Sequence, residues 1–331
     1  MDILMISPDA PPSKGGVSRL VGLLKDGLER SGHHVTLAHP KFRVREIKFS
    51  RIPFHPYDEK YDLIHLHGPT PLLSDLTLII NRKVPIVYTH HAEICWISGK
   101  LSKIYRGFHR FLAKRARAII VHSHDYARLF DRANVAVIKP PCLFKPANPA
   151  ERTSDVFMVL YVGQFRPFKG IDVLIKAASM LRDVDFCLVG DCYLKPRLMR
   201  VAKGLRNVRF MGPVRDDELL RLYRSAHVIC LSSVNTTEGY GLTLIEGALQ
   251  GCVPLAPNLI GVRENVYELQ GLLFEPKSYI SLAKKIAMLS NDRALWADYA
   301  EKSQNAAYNY ASTYTPENYV DKHEETFRRC L

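Results

Sequence analysis

The sequence predicts an α/β protein of two doubly wound domains, each a mainly parallel sheet wrapped by helices. Three observations predict it. Short apolar runs alternate with helix-period segments, a proline-dense stretch interrupts the alternation, and the alternation then starts again. The length of 331 residues suits two domains of roughly 150 residues each.

In the first half, Ile3–Ser7 is a short apolar strand and 11–16 a loop. Val17, Leu20, Val21, Leu24 and Leu28 recur at helical spacing, and Gly32 ends that helix. Strands follow at 34–38, 61–66, 85–89 and 118–122, with helical segments between them. The runs are apolar throughout rather than alternating, as expected of strands covered on both faces. Pro140, Pro141, Pro146 and Pro149 stop both helix and sheet and mark the boundary. The second half reads as strands at 156–162, 186–189, 208–211, 227–231, 253–256 and 272–274. Its helices are expected at 171–181, 242–249, 278–289 and 293–307, and a terminal amphipathic helix runs from Pro316 to Arg329. The expected domains are 1–148, 149–310, and a C-terminal helix, 311–331, packed back on the first domain.

Composition excludes several classes. The chain is 47% hydrophobic and 24% charged, an ordinary globular balance. Seven cysteines, odd in number and scattered, form no C-x-x-C pair, which argues against a disulfide framework or structural zinc. The start lacks the basic, long apolar pattern of a secretory signal, and no apolar run is long enough to span a bilayer. A cytoplasmic protein is expected, peripheral to the membrane at most. The net charge of +13 is uneven: residues 1–150 hold 23 Lys and Arg against 12 Asp and Glu, residues 151–331 hold 23 against 21. A basic first half suggests an anionic partner.

Five motifs carry chemistry. Pro12-Ser-Lys-Gly-Gly16 joins the first strand to the first helix, where paired glycines let backbone N–H groups approach an anion or sugar. A plain tight turn is the alternative. Gly163-Gln-Phe-Arg-Pro-Phe-Lys-Gly170 follows a strand in the same way, and Arg166 with Lys169 suits a diphosphate. The stretch 232–251 places Glu238 in a loop and Glu246 about one turn into a helix. The helix start at Gly241–Thr243 offers unpaired N–H groups to phosphate, and the two carboxylates suit hydroxyl-rich groups on either side. Thr89-His90-His91-Ala92-Glu93 closes a strand, and adjacent histidines do not make a chelating pair. His65, His67, His122 and His124 read as satisfied structural histidines.

Finally, 103–117 interleaves Lys103, Arg106, Arg110, Lys114, Arg115 and Arg117 with Ile104, Tyr105, Phe108, Phe111 and Leu112. The preferred reading is a surface helix whose apolar stripe packs on its own sheet. The alternative is a helix lying on an anionic bilayer. A second basic patch, Lys41, Arg43, Arg45, Lys48 and Arg51, reads as a half-exposed strand or hairpin.

Together these motifs resemble the retaining GT-B glycosyltransferases of group 1, also called family four. The resemblance covers nearly the whole chain in order: Gly15–Gly16, the T-x-H element at Thr89–His91, the loop Gly163–Gly170, Val189-Gly190-Asp191, the E-x7-E element Glu238–Glu246, then Gly261 and Glu264. It implies two Rossmann-like domains facing a cleft and transfer of a sugar from a nucleotide-diphosphate sugar. The acceptor implied is a sugar, glycan or lipid-linked molecule. It implies that Gly16 approaches the donor phosphate or acceptor. His91 contacts the transferring sugar or acts through its backbone carbonyl. Lys169 binds the diphosphate, and Glu238 meets the sugar hydroxyls. Tyr240, Gly241, Leu242 and Thr243 offer backbone, and Glu246 holds the ribose. Neither a metal nor another cofactor is expected, nor a nucleic-acid partner. Gln164 stands where the family often has Arg, Tyr240 where it often has Phe, and Cys192 where it often has Gly. The alternatives are a GT-B sugar-nucleotide epimerase and a non-catalytic basic binder of nucleic acid or membrane.

Overall fold

A computed structural model describes residues 1–13, 15–39, 42–44, 47–49, 60–81, 83–94, 100–130, 134–145, 156–191 and 193–331. Lys14, Cys95, Pro146, Pro149 and Cys192, with Lys41, Arg45 and Arg51 of the second basic patch, lie outside these. The chain divides into two compact units, Met1–Pro141 with Tyr314–Leu331, and Cys142–Thr313.

The first unit begins with β1 Asp2–Ile6, α1 Gly16–Arg30, β2 His34–Ala38, β3 Phe42–Val44, β4 Ile47–Phe49 and β5 Leu63–Gly68. It continues with α2 Leu73–Ile80, β6 Ile86–His90, α3 Lys100–Ala113, β7 Ala118–Val121, α4 His124–Ala127 and β8 Val135–Val137. Its main sheet has the order β2-β1-β5-β6-β7-β8, every pair parallel. The short β3 and β4 form a separate antiparallel pair, the hairpin expected of the second basic patch.

The second unit runs β9 Phe157–Val162, α5 Ile171–Met180, β10 Val184–Val189, α6 Lys195–Val201, β11 Val208–Gly212, α7 Asp216–Ser225 and β12 Val228–Cys230. Then come α8 Leu242–Leu249, β13 Val253–Pro257, α9 Val262–Glu268, β14 Leu272–Phe274, α10 Tyr279–Asn291 and α11 Arg293–Thr313. The last helix, α12 Pro316–Arg328, belongs to the first unit. Strand order in the second sheet is β11-β10-β9-β12-β13-β14, again all parallel. The order reverses between β9 and β12, and ligands of open parallel sheets bind beyond the strand ends at such a switch point.

Parallel strands covered on both faces must be apolar on both faces. Accordingly β5 and β6 are buried at every position, and so is β13. Phe157, Val159 and Tyr161 of β9 and Phe186 and Leu188 of β10 build the second core with Leu174 and Ile175 of α5. In the first unit α12 lies on α1, and the fit is tight: a Cβ on Gly27 would stand 2.3 Å from a Val320 methyl. Helix α11 runs past the expected stop at 307 because Ala307 and Tyr310 continue its buried face. The short α6, α7 and α9 were not distinguished by spacing in the sequence.

Candidate functional site

In the second unit, the loops after β9 and β12 flank the switch point. The β9 loop closes with a single 3-10 turn, Pro167–Lys169, in which Pro sets the first position and Gly170 ends the turn. Gly170 has φ +59°, and a Cβ there would lie 2.2 Å from the Ser232 carbonyl oxygen. Only glycine lets the two loops approach this closely. They are then laced together. The Val234 N–H donates to Phe168 O at 2.8 Å, and Ser232 Oγ to Lys169 O at 2.8 Å.

This lacing sets Lys169 Nζ 2.6 Å from Glu238 Oε2, an ion pair with both side chains largely buried. Ser233 Oγ donates to the same carboxylate oxygen at 2.7 Å. Arg166 precedes the turn, and its Nε donates to Gln164 Oε1 at 2.7 Å. Gln164 therefore steers the guanidinium.

Helix α8 starts from Gly241, whose φ is +82°, without a side-chain cap. Asn265 of α9 is buried, and its Nδ2 donates to Tyr240 O at 3.1 Å and reaches Gly241 O at 3.4 Å. Carbonyl and N–H of a trans peptide point in opposite directions. Tying these carbonyls to Asn265 therefore turns the N–H groups of Gly241 and Leu242 away from it. Thr243 Oγ1 is buried in the first turn of α8 with no hydrogen-bond partner. The Tyr240 hydroxyl bonds the Tyr310 hydroxyl at 2.9 Å, which pins the loop to α11. Glu246, deeper in α8, accepts from the Tyr223 hydroxyl of α7 at 2.8 Å. Glu264 lies in the first turn of α9, after Gly261.

The first unit holds the remaining candidates. Gly16 opens α1 after Gly15 and is itself exposed, and the first helical turn holds no acidic residue. His91 follows β6, is buried, and has both ring nitrogens engaged. His122 Nδ1 lies 2.9 Å from Ile138 O, and a carbonyl only accepts, so Nδ1 carries the proton. Burial holds His122 down to about 4, so it is neutral and its Nε2 is bare. His91 Nδ1, 3.1 Å from that nitrogen, must then donate. His91 Nε2 is left to accept from His67 Nδ1 at 2.9 Å. Burial, followed by the neighbouring histidines, holds His91 and His67 well below 6.5 as well. One tautomer is thus fixed along the whole row by a single backbone carbonyl.

His65 and His323 flank the row. His65 Nε2 meets Thr89 Oγ1 at 2.8 Å, and His323 Nδ1 donates to Tyr319 O at 2.7 Å. The expectation of satisfied histidines fails in part, since His65 Nδ1 and His67 Nε2 are buried without a hydrogen-bond partner. The same is true of His323 Nε2, a residue outside that expectation. The described residues contain no group of three or more His, Cys, Asp or Glu side chains placed to hold a metal ion.

Sequence reasoning missed Ser233, Tyr223, Asn265, His67 and His122 as neighbours of the candidate residues. Ser233 lies within the quoted motif and was available. The others come from separate elements, and only the fold brings them in. The expectation for 103–117 is also corrected. Leu101, Ile104, Phe108 and Phe111 of α3 face outward rather than onto the sheet. Of the expected stripe Leu112 does pack inward, beside Ala113. Polar groups hold the rest of that face: His109 Nδ1 pairs with Asp75 Oδ1 at 2.6 Å, and Arg106 and Arg110 pair with Glu93 at 3.3 and 3.0 Å.

The sequence family described as Glycosyl transferases group 1 matches residues 146–310, and Glycosyltransferase Family 4 matches residues 50–141. The chain is 25% identical to an O-antigen chain mannosyltransferase C of Escherichia coli, over 97% of this chain and 96% of that protein. It is 26% identical to the D-rhamnosyltransferase WbpZ of Pseudomonas aeruginosa, over 86% of this chain and 78% of the relative. Among solved structures, the sucrose-phosphate synthase of Thermosynechococcus elongatus superposes with a TM-score of 0.76 at 19% identity, covering 99% of this chain and 98% of that one. HepE of Anabaena, solved with UDP-glucose, also gives 0.76, at 18% identity, covering 99% of this chain and 100% of its own. Two parallel six-stranded sheets, the ordered motifs and these likenesses agree: the chain belongs to the group 1 glycosyltransferases of the GT-B fold.

Proposed function

We propose that this glycosyltransferase takes its sugar from a nucleotide-diphosphate sugar and transfers it with retention at the anomeric carbon. The reading rests on the Lys169–Glu238 pair, a cation and a carboxylate from the loops of the adjacent strands β9 and β12, held together at the switch point of the second sheet. A lysine ammonium has three donors, so the Glu238 bond leaves others for phosphate oxygens. Arg166 and the N–H groups opening α8 add to that cradle, with the positive end of the helix dipole behind them. Glu238 accepts from the sugar hydroxyls and Glu246 from the ribose. HepE is a fold neighbour solved with UDP-glucose, and a donor of that chemical class suits these loops. The acceptor is a hydroxyl of a sugar, glycan or lipid-linked molecule. Relatives named for O-antigen and rhamnose transfer support that class.

In the reaction, the anomeric C–O bond to the β-phosphate breaks and negative charge grows on the leaving oxygen. Lys169, Arg166 and the α8 amides are in place before that charge develops, an arrangement often worth several kcal/mol. The acceptor oxygen attacks from the face the diphosphate leaves, and its proton passes to a phosphate oxygen. The step needs neither a protein nucleophile nor a metal. Both ring nitrogens of His91 serve the histidine row, which favours its backbone carbonyl as the group offered to the sugar.

The experiment is product analysis with labelled nucleotide sugars and a panel of glycan acceptors. Label should move to the acceptor with its anomeric configuration kept. Lys169→Ala, Glu238→Ala and Glu246→Ala should each lower turnover by roughly 100-fold or more. Inverted product would refute retention, near-wild-type activity in all three variants would refute the site, and an epimerised free sugar nucleotide would point to an epimerase.

A further inference from the structure

Four of the large apolar side chains of helix α3 face outward. Leu101, Ile104, Phe108 and Phe111 recur at intervals of three and four, so they form one stripe along a helix of 14 residues, about 21 Å long. They are 64%, 67%, 48% and 69% exposed. The opposite face buries Leu112 and Ala113 and is otherwise anchored by charge and hydrogen bonds. His109 is pinned between Asp75 and the Tyr88 hydroxyl, Tyr105 OH donates to Asp75 Oδ2 at 2.8 Å, and Ser102 Oγ donates to Ile94 O. Arg106 and Arg110 are drawn inward by buried Glu93, whose carboxyl burial alone would raise but His90 and Arg110 hold at about 2. An isolated exposed leucine requires no explanation, but a four-residue apolar stripe on a helix anchored by its polar face does.

We propose that α3 docks the protein on an anionic lipid bilayer, its stripe entering the headgroup boundary. Charge selects this occupant. Residues 100–117 hold seven Lys and Arg and no acidic residue, in a half of the chain with 23 basic against 12 acidic residues. Lys103, Lys114 and Arg115 are exposed on or beside α3. A second copy of this helix would set like charge against like charge, whereas anionic headgroups complement it. No described helix is long and apolar enough to cross a membrane, so contact through α3 is interfacial. The inference uses none of the donor-site residues, and its failure would leave the transferase reading untouched.

The test is flotation of the full chain with vesicles of phosphatidylglycerol and phosphatidylcholine, against phosphatidylcholine alone. The chain should float with the anionic vesicles and be released by salt. The Phe108→Ser/Phe111→Ser double variant should bind about tenfold more weakly or worse. Its thermal midpoint should change little, because Phe111 is mostly and Phe108 half exposed. The Lys103→Glu/Arg115→Glu variant serves as a second, apolar-neutral check and should also lose binding. Failure of the wild-type chain to float, or flotation unchanged in both variants, overturns the proposal. So does a wild-type dimer in sedimentation velocity that the Phe108→Ser/Phe111→Ser variant dissociates.

Discussion

The Lys169–Glu238 pair shows how little of a site one residue explains. Lys169 is placed by Pro167, Gly170 and a loop on the next strand, and Glu238 by Ser233. Asn265 acts one step further back, through the Tyr240 and Gly241 carbonyls. Asn265→Leu keeps the branched shape but removes the donor to those carbonyls, at a cost of about 1–1.5 kcal/mol. Nucleoside-diphosphate binding should weaken by about tenfold, as titration calorimetry would show. His122 is the corresponding residue in the first unit. In His122→Phe the donor on His91 Nδ1 loses its acceptor inside the protein, at a cost of about 1–3 kcal/mol in urea unfolding. An unchanged midpoint would mean that His91 finds another partner. Much at this scale was legible in the sequence. Glu238, Glu246, Lys169 and the glycines stand out by spacing as candidates, and the fold gathers Glu238 with Lys169. The partners Tyr223, Asn265, His67 and His122 were not, because each arrives from a different helix or strand.

Elements report their packing through glycine. Gly170→Ala combines a left-handed φ with a Cβ 2.2 Å from a backbone oxygen, and neither can relax cheaply. A loss of about 1–3 kcal/mol is expected, together with weakened nucleotide binding as the two loops separate. Gly27→Ala is different, since its Cβ would meet a Val320 methyl. Alone it should cost about 1–3 kcal/mol by overpacking. Adding Val320→Ala should return much of that, and a double-mutant cycle with no coupling would contradict the α1–α12 packing. The strands were readable because burial on both faces demands continuous apolar runs, and α8 and β14 were located to the residue. Helix α3 was readable only as a helix. Periodicity tells which residues share a face but not which face turns inward. In α3, Asp75 and Glu93, remote in sequence, decide it for the polar side.

For the whole molecule, the buried histidines tie the stability of the first unit to pH. Burial lowers His65, His67, His90 and His91 below 6.5, His122 to about 4 and His323 to about 3. Below 6.5 the unfolded chain takes up protons that the folded unit refuses, so stability is full above that pH and falls as the medium becomes more acid. The loss runs from 6.5 down to about 4 for His122 and to about 3 for His323. Glu93, held at about 2 against an ordinary 4.5, adds a loss in the same direction below 4.5. Calorimetric scans should show the unfolding midpoint dropping between pH 7 and pH 4.5, and equal midpoints across that range would contradict the buried, neutral row. The two-sheet plan was legible from the twofold alternation, whereas this histidine cluster, assembled from β5, β6, β7 and α12, was not. The central claim, a diphosphate cradled by Lys169 with the ribose on Glu246, is tested most directly by calorimetric titration of paired nucleoside mono- and diphosphates. Lys169→Ala should weaken only the diphosphate, by about tenfold or more, while Glu246→Ala weakens both. Equal losses for mono- and diphosphate in Lys169→Ala, or no loss in either variant, would contradict it.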